Sequence, residues 1–185
     1  KGKKVNENTL CNPIGIYGNL KLSGEMMVKS YSKIFQFPYT IIRPSALYGE
    51  RCISRRVGQI FIENALQSKN IEINGDGKEK LDFTYIDDLI SGVYNVIKNK
   101  NSINETFNIT YGNGRAIADL TQILKKNFLK TQINFKEREK FVPKRGGLSV
   151  NKAKRLINYK PKYSIEIGYQ KYINWYKKFF SSNIN

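Results

Sequence analysis

The sequence predicts an α/β fold in which helices alternate with short strands, the arrangement of a doubly wound parallel sheet. Two observations carry that prediction. Apolar residues recur at three- and four-residue steps through several stretches, the mark of helices with one buried face. Between them stand short β-branched and aromatic runs, at 39–42, 81–86 and 106–110, that read as strands. Alternation of this kind builds a sheet covered by helices. The size fits: 185 residues with 40% hydrophobic and 12% aromatic content make one ordinary globular domain or slightly more.

In chain order, residues 1–12 are a polar, lysine-rich loop, and Asn12-Pro13 with Gly15 is a turn into the first helix. Leu20, Met27, Val28, Tyr31, Ile34 and Phe35 form that helix's apolar face, and Pro38 closes it by disfavouring helix at Phe37. The strand 39–42 runs into Arg43-Pro44-Ser45-Ala46-Leu47-Tyr48-Gly49. Ligands of open α/β sheets sit beyond the carboxyl ends of the strands, so residues 43–49 are expected to border a site. A basic turn holding Arg51, Arg55 and Arg56 leads to a second helix, marked by Val57, Ile60, Phe61, Ala65 and Leu66. Arginines there oppose the helix dipole but suit phosphate oxygens, or simply form a solvated basic turn.

A strand at 71–73 and a turn at 74–77 follow, then the strand 81–86 and a helix at 87–98 whose start Asp87 and Asp88 are expected to cap. The strand 106–110 reads as the last of the main sheet. Leu120, Ile123, Leu124 and Phe128 mark a helix at 118–128, and 132–135 is a short strand. A short helix at 151–157, a turn at Pro161 and a final helix at 164–180 complete the chain. Ser164 is its N-cap, and Tyr169, Tyr172 and Tyr176 pack from it.

Tyr17 and Lys21 carry the chemistry. Four residues apart on a helix, they share a face one turn apart. A free tyrosine titrates near pH ~10 and is a weak base. An ammonium one turn away favours phenolate, and so does a cationic nicotinamide. Such a tyrosine takes a proton from a hydroxyl while a hydride leaves the same carbon. The spacing alone equally suits an ordinary pair on a half-exposed helix.

The order Tyr-x-x-x-Lys, then Arg-Pro-x-x-x-Tyr-Gly (Arg43 to Gly49), then Asp-Phe-x-Tyr-Ile-Asp-Asp (Asp82 to Asp88) resembles the C-terminal part of an extended short-chain dehydrogenase/reductase of the NAD-dependent sugar-nucleotide epimerase/dehydratase type. Residues 143–180 are similar to that family's C-terminal signature, with Arg145 before a glycine and the pair Trp175-Tyr176. The resemblance implies the later part of a Rossmann-like domain, residues 1–48 and 82–110, with a small α+β substrate lobe, residues 49–81 and 111–185. It implies tightly held NAD bordered by Tyr17, Lys21, Arg43, Pro44 and Ser45, and a nucleotide-diphosphate sugar altered through a transient keto intermediate. Tyr17 is then the base, and Lys21 tunes it and binds the nicotinamide ribose. Arg145 reaches the nucleotide. The family often places a phosphate-binding arginine where this chain has Leu81; Lys80 or the Arg51–Arg56 cluster is expected to substitute. A homodimer through the Tyr17–Lys21 helix is also implied, with Met26, Met27 and Ile34 as candidate contacts.

Two of the family's parts are not found. No G-x-G-x-x-G follows a strand; Gly112-Asn113-Gly114 lacks the third glycine. The Ser/Thr partner of the tyrosine is expected upstream, and Thr9 stands too near Tyr17 to fill that place. The chain therefore reads as a fragment without the cofactor-binding N-terminal half.

Composition narrows the function classes. Histidine is absent and Cys11 and Cys52 show no metal spacing, which argues against zinc. No apolar run approaches the ~20 residues of a membrane span. Nothing asks for an oxidising compartment, so a cytoplasmic place is expected. The net charge of +17 is spread as scattered lysines, which suits compositional bias better than a nucleic-acid surface. An NADP-dependent reductase on a substrate without phosphates, and a non-catalytic basic module, stay open as alternatives.

Overall fold

The computed structural model describes residues 5–137 and 146–182. Helix α1 spans Ile16–Phe35, followed by strands β1 (Thr40–Arg43) and β2 (Leu47–Tyr48) and helix α2 (Val57–Leu66). Strands β3 (Ile71–Asn74), β4 (Lys80–Leu81) and β5 (Thr84–Tyr85) lead to helix α3 (Ile86–Lys98). Then come β6 (Glu105–Asn108), β7 (Arg115–Ala116), α4 (Ile117–Asn127), β8 (Ile133–Lys136), α5 (Asn151–Ile157) and α6 (Ile165–Ser182).

Three pairs are parallel, β1 with β6, β2 with β5 and β3 with β8, while β4 and β7 are antiparallel. Each parallel pair is joined through at least one helix, as parallel pairing requires. The fold is α/β, its strands forming four two-stranded sheets, with Arg43 opposite Asn108 at the carboxyl end of the β1–β6 pair.

Burial is concentrated in two clusters. The larger joins Tyr48, Phe61, Ile62, Ile71, Ile73, Leu81, Phe83, Tyr85, Leu120, Leu124, Tyr169 and Tyr172, uniting α2, α4 and α6 with the short strands. The smaller sets Phe107 and Ile109 against Val96, Ala153, Ile157 and Tyr159. Residues 150–159 thus pack on β6 and α3. Ser164 accepts from the Ile167 amide and so caps α6.

Two local expectations are corrected. The run 81–86 is not one strand. The Asp82 carboxylate is fully buried and accepts from Thr110 Oγ1 (3.1 Å) and the amides of Gly112 (3.0 Å), Asn113 (3.3 Å) and Leu148 (2.9 Å). Gathering three distant amides there divides the run into β4 and β5, which pair with different strands. Asp87 and Asp88 also do not cap α3, whose N-cap is Tyr85 without a side-chain cap bond. Asp88 instead accepts from the amides of Lys162 (2.7 Å) and Tyr163 (2.9 Å), fixing the turn after Pro161. Asp87 lies 3.9 Å from Lys171.

Helix α1 forms as its periodicity demands and ends at a left-handed Gln36 just before Pro38. It buries no residue. Leu20, Met27, Tyr31, Ile34 and Phe35 are all more than half exposed, so the face predicted to be apolar is open.

Candidate active site

The site is built where β1 and β6 end. The 5–9 segment crosses those ends: Val5 bridges Leu148, and the Glu7 carboxylate accepts the Asn108 amide at 2.9 Å. The chain then turns at Pro13 into α1. A Cβ on Gly18 would lie 2.9 Å from the Pro13 Cβ, so the close seat of the first turn requires glycine. Between this segment and α1 lies a cleft of about 360 Å³, lined among others by Thr9, Cys11, Lys21, Glu25, Arg43 and Asn108.

Tyr17, Lys21 and Glu25 follow one another at helical turns along α1. The Lys21 Nζ sits 5.5 Å from the centroid of the Tyr17 ring, within cation–π range. Lys21 lines the cleft and Tyr17 stands at 73% exposure beside it. An ammonium and a phenol so placed offer two donors to vicinal sugar hydroxyls and a phenol able to exchange a proton.

Arg43 lies where it was expected, but its side chain has another occupation. Its Nε donates to Glu25 Oε1 at 2.7 Å, its Nη2 to Oε2 at 2.6 Å, and its Nη1 to the Glu7 carbonyl at 3.3 Å. The guanidinium bonded to Glu25 holds that carboxyl below its usual range against the effect of burial, and Lys29 adds to this. The guanidinium is therefore engaged within the fold.

Of the basic residues expected at phosphate, the described ones, Arg51, Arg55, Arg56 and Lys80, do not line this cleft. Arg55 pairs with Glu63 at 3.2 Å and Arg56 Nε donates to Ser54 at 3.1 Å. Arg51, in a left-handed conformation (φ 61°), makes no hydrogen bond or ion pair with a described residue. Lys80 is exposed while its neighbour Leu81 is buried, so the two leave β4 on opposite faces. Arg145 lies outside the described residues.

Sequence reasoning missed Glu7, Glu25 and the anchoring role of Asp82. Glu25 had a readable signal, since it stands one turn beyond Lys21 on the same face. Burial pushes the Asp82 carboxyl up, while its bonds from Leu148, Thr110, Gly112 and Asn113 pull it back. Among the described residues no group of three or more His, Cys, Asp or Glu could hold a metal, and no helix is long and apolar enough to cross a membrane.

Residues 1–110 match the family model described as NAD dependent epimerase/dehydratase family. The chain belongs to that family. It is 31% identical over 169 residues to an uncharacterized UDP-glucose epimerase of Bacillus subtilis, covering 91% of this chain and 54% of that protein. It is 33% identical over 182 residues to a putative UDP-glucose 4-epimerase of Methanocaldococcus jannaschii, covering 94% and 57%. Among solved structures, the UDP-glucuronic acid 4-epimerase of Bacillus cereus, in complex with UDP-glucuronic acid and NAD, superposes with a TM-score of 0.90 at 33% identity. That match covers 97% of this chain and 58% of the other. The dTDP-glucose 4,6-dehydratase of Bacillus anthracis with NAD gives 0.88 at 26% identity, over 96% and 57%. The chain thus spans about half the length of the relatives it matches. Membership makes a Rossmann-like α/β fold the frame in which Tyr17 and Lys21 stand.

Proposed function

We propose that this chain carries the proton-transfer pair and the substrate lobe of an NAD-dependent epimerase or dehydratase acting on a nucleotide-diphosphate sugar through a transient keto intermediate. The carrying observation is the placement of Tyr17 and Lys21 on one face of α1, with Lys21 in the cleft beyond the carboxyl ends of β1 and β6. Tyr17 takes the proton of a sugar hydroxyl and returns one at the end of the cycle. Lys21 stabilises the phenolate and donates to the hydroxyls of a nicotinamide ribose. NAD, when bound, would supply the hydride acceptor and donor for the same carbon. The backbone of residues 43–45 borders the cofactor. Arg51, free of described partners, and Arg145 are assigned to the diphosphate; Arg55, Arg56 and Lys80 are weaker members of that set.

The exposed Met26, Met27 and Ile34 of α1 support a homodimer through this helix, and the two free cysteines fit a cytoplasmic place. The nucleotide-sugar reading is favoured over a basic binding module because solved relatives hold UDP-glucuronic acid with NAD or UDP-glucose.

The test joins this chain to the part of the Bacillus cereus enzyme that it does not cover. In that chimera Tyr17→Phe is expected to lower kcat for a UDP-sugar by roughly 10²–10⁴-fold with KM near that of the parent chimera, since it removes proton transfer and little ground-state binding. Turnover that survives the change would make Tyr17 a surface residue and overturn the mechanism.

A further inference from the structure

Among the described residues, helix α1 is not aimed by burial. A helix is normally fixed about its own axis by the side chains it buries, and α1 buries none. One row of polar residues, Tyr17, Lys21 and Glu25, nevertheless meets the sheet at its last member. Glu25 receives a two-pronged grip from Arg43, the final residue of β1, with both side chains largely shielded (23% and 19% exposed). The third arm of the same guanidinium holds the Glu7 carbonyl, and the Glu7 carboxylate holds the amide of Asn108, which stands opposite Arg43 in the strand register. One planar group thus ties together α1, the segment leading into it and both strand ends.

We infer that Arg43 is a positioning residue: its grip on Glu25 sets the seat and rotation of α1 and so delivers Tyr17 and Lys21 to the carboxyl end of the sheet. The inference rests on the role proposed for that pair. Its geometry requires arginine. Two parallel N–H bonds to one carboxylate fix an angle as well as a distance, whereas a lysine ammonium fixes a distance alone. Tyr17 and Lys21 keep their mutual contact through the helix itself; the clamp controls where they stand relative to β1 and β6. Glu25 lies two turns from Tyr17, so a rotation allowed at Glu25 carries both functional groups around the axis with it.

Residual dipolar couplings of the backbone amides of this chain measure that orientation directly. In the unmodified chain the amides of α1, β1, β6 and α3 are expected to fit one alignment tensor. In Arg43→Lys and in Glu25→Gln the α1 couplings are expected to leave that tensor while β1, β6 and α6 keep it. The exchanged pair Glu25→Arg with Arg43→Glu is expected to bring α1 back. The inference is overturned if α1 does not share the tensor in the unmodified chain, or if it stays on it in both single variants. Melting of α1 or of the whole chain in those variants would also overturn it, because the pair would then stabilise structure and not aim it. These couplings are blind to proton transfer, so the clamp and the chemistry assigned to Tyr17 fail separately.

Discussion

Helices α1 and α6 are both long, amphipathic and rich in aromatic residues, and the chain holds them in opposite ways. α6 is held by burial: Tyr169, Tyr172 and Ile173 are wholly enclosed, and the Tyr169 hydroxyl donates to the Gly58 carbonyl at 2.8 Å. α1 is held by charge, through one shielded ion pair at Glu25, with its apolar residues facing outward. The helix that carries the proposed chemistry is therefore the one that contributes least to the core. Burial fixes a helix without regard to pH, while an ion pair and a few backbone contacts leave its surface open for a cofactor, a substrate or a second subunit.

The largest effect that sharpens this contrast is expected from Tyr169→Ala. Deleting a fully buried ring removes its transfer energy and leaves a cavity, a loss of about 3–5 kcal/mol. Leu20→Ala on α1, at 66% exposure, is expected to change stability by no more than ~0.5 kcal/mol. Urea unfolding of the two variants checks both values, and comparable losses would mean that α1 is packed after all.

Next in size is one substitution made in both helices. In α6, a Cβ at Gly168 would overlap the Tyr48 hydroxyl and press on Tyr85, so Gly168→Ala is expected to cost about 1–3 kcal/mol through overpacking. In α1, a Cβ at Gly24 meets nothing within 4 Å, so Gly24→Ala is expected to gain about 0.5–1 kcal/mol from helix propensity. Melting temperatures moving in opposite directions would support the contrast; a shared sign would break it.

The smallest expected effect is the dependence of α1 on pH. Arg43 holds the Glu25 carboxyl below its unfolded value. The contribution of the pair is therefore fully present above the ordinary carboxylate pKa, and it is lost as pH falls through the lowered folded value. Burial pushes Asp82 and Asp88 the other way, so their folded forms bind protons first. Amide protection factors measured between pH 6 and pH 3 are expected to fall earlier in α1 than in α6. Simultaneous loss would show that the clamp does not set the attachment of α1.

Much of this arrangement was legible in order along the chain. The four-residue step from Tyr17 to Lys21, the β-branched run before Arg43 and the aromatic periodicity of α6 are local signals, and local signals survive in sequence. What escaped is long-range. Glu25 and Arg43 are 18 residues apart, and nothing in either residue names the other. Asp82 collects amides 30, 31 and 66 residues away, which divides a run that reads as one strand. Asp88 sits in the first turn of α3, where caps and dipole partners stand, yet it serves a turn 74 residues on. The apolar face of α1 was readable as a face; what lies against it was not, because periodicity records that a surface is apolar and not what meets it.

The meeting of Gly114 and Gly147 has a consequence for the stretch of chain between them. A Cβ on either glycine would come within 2.7 Å of the other's backbone, and Asp82 fastens the chain just before the first and just after the second. Entry to and exit from the stretch 115–146 are thus a single point in space. Asp82, by holding Gly112 and Leu148, therefore pins both ends of this stretch at one place, while α4 and β8 within it pack on α2, α6 and β3.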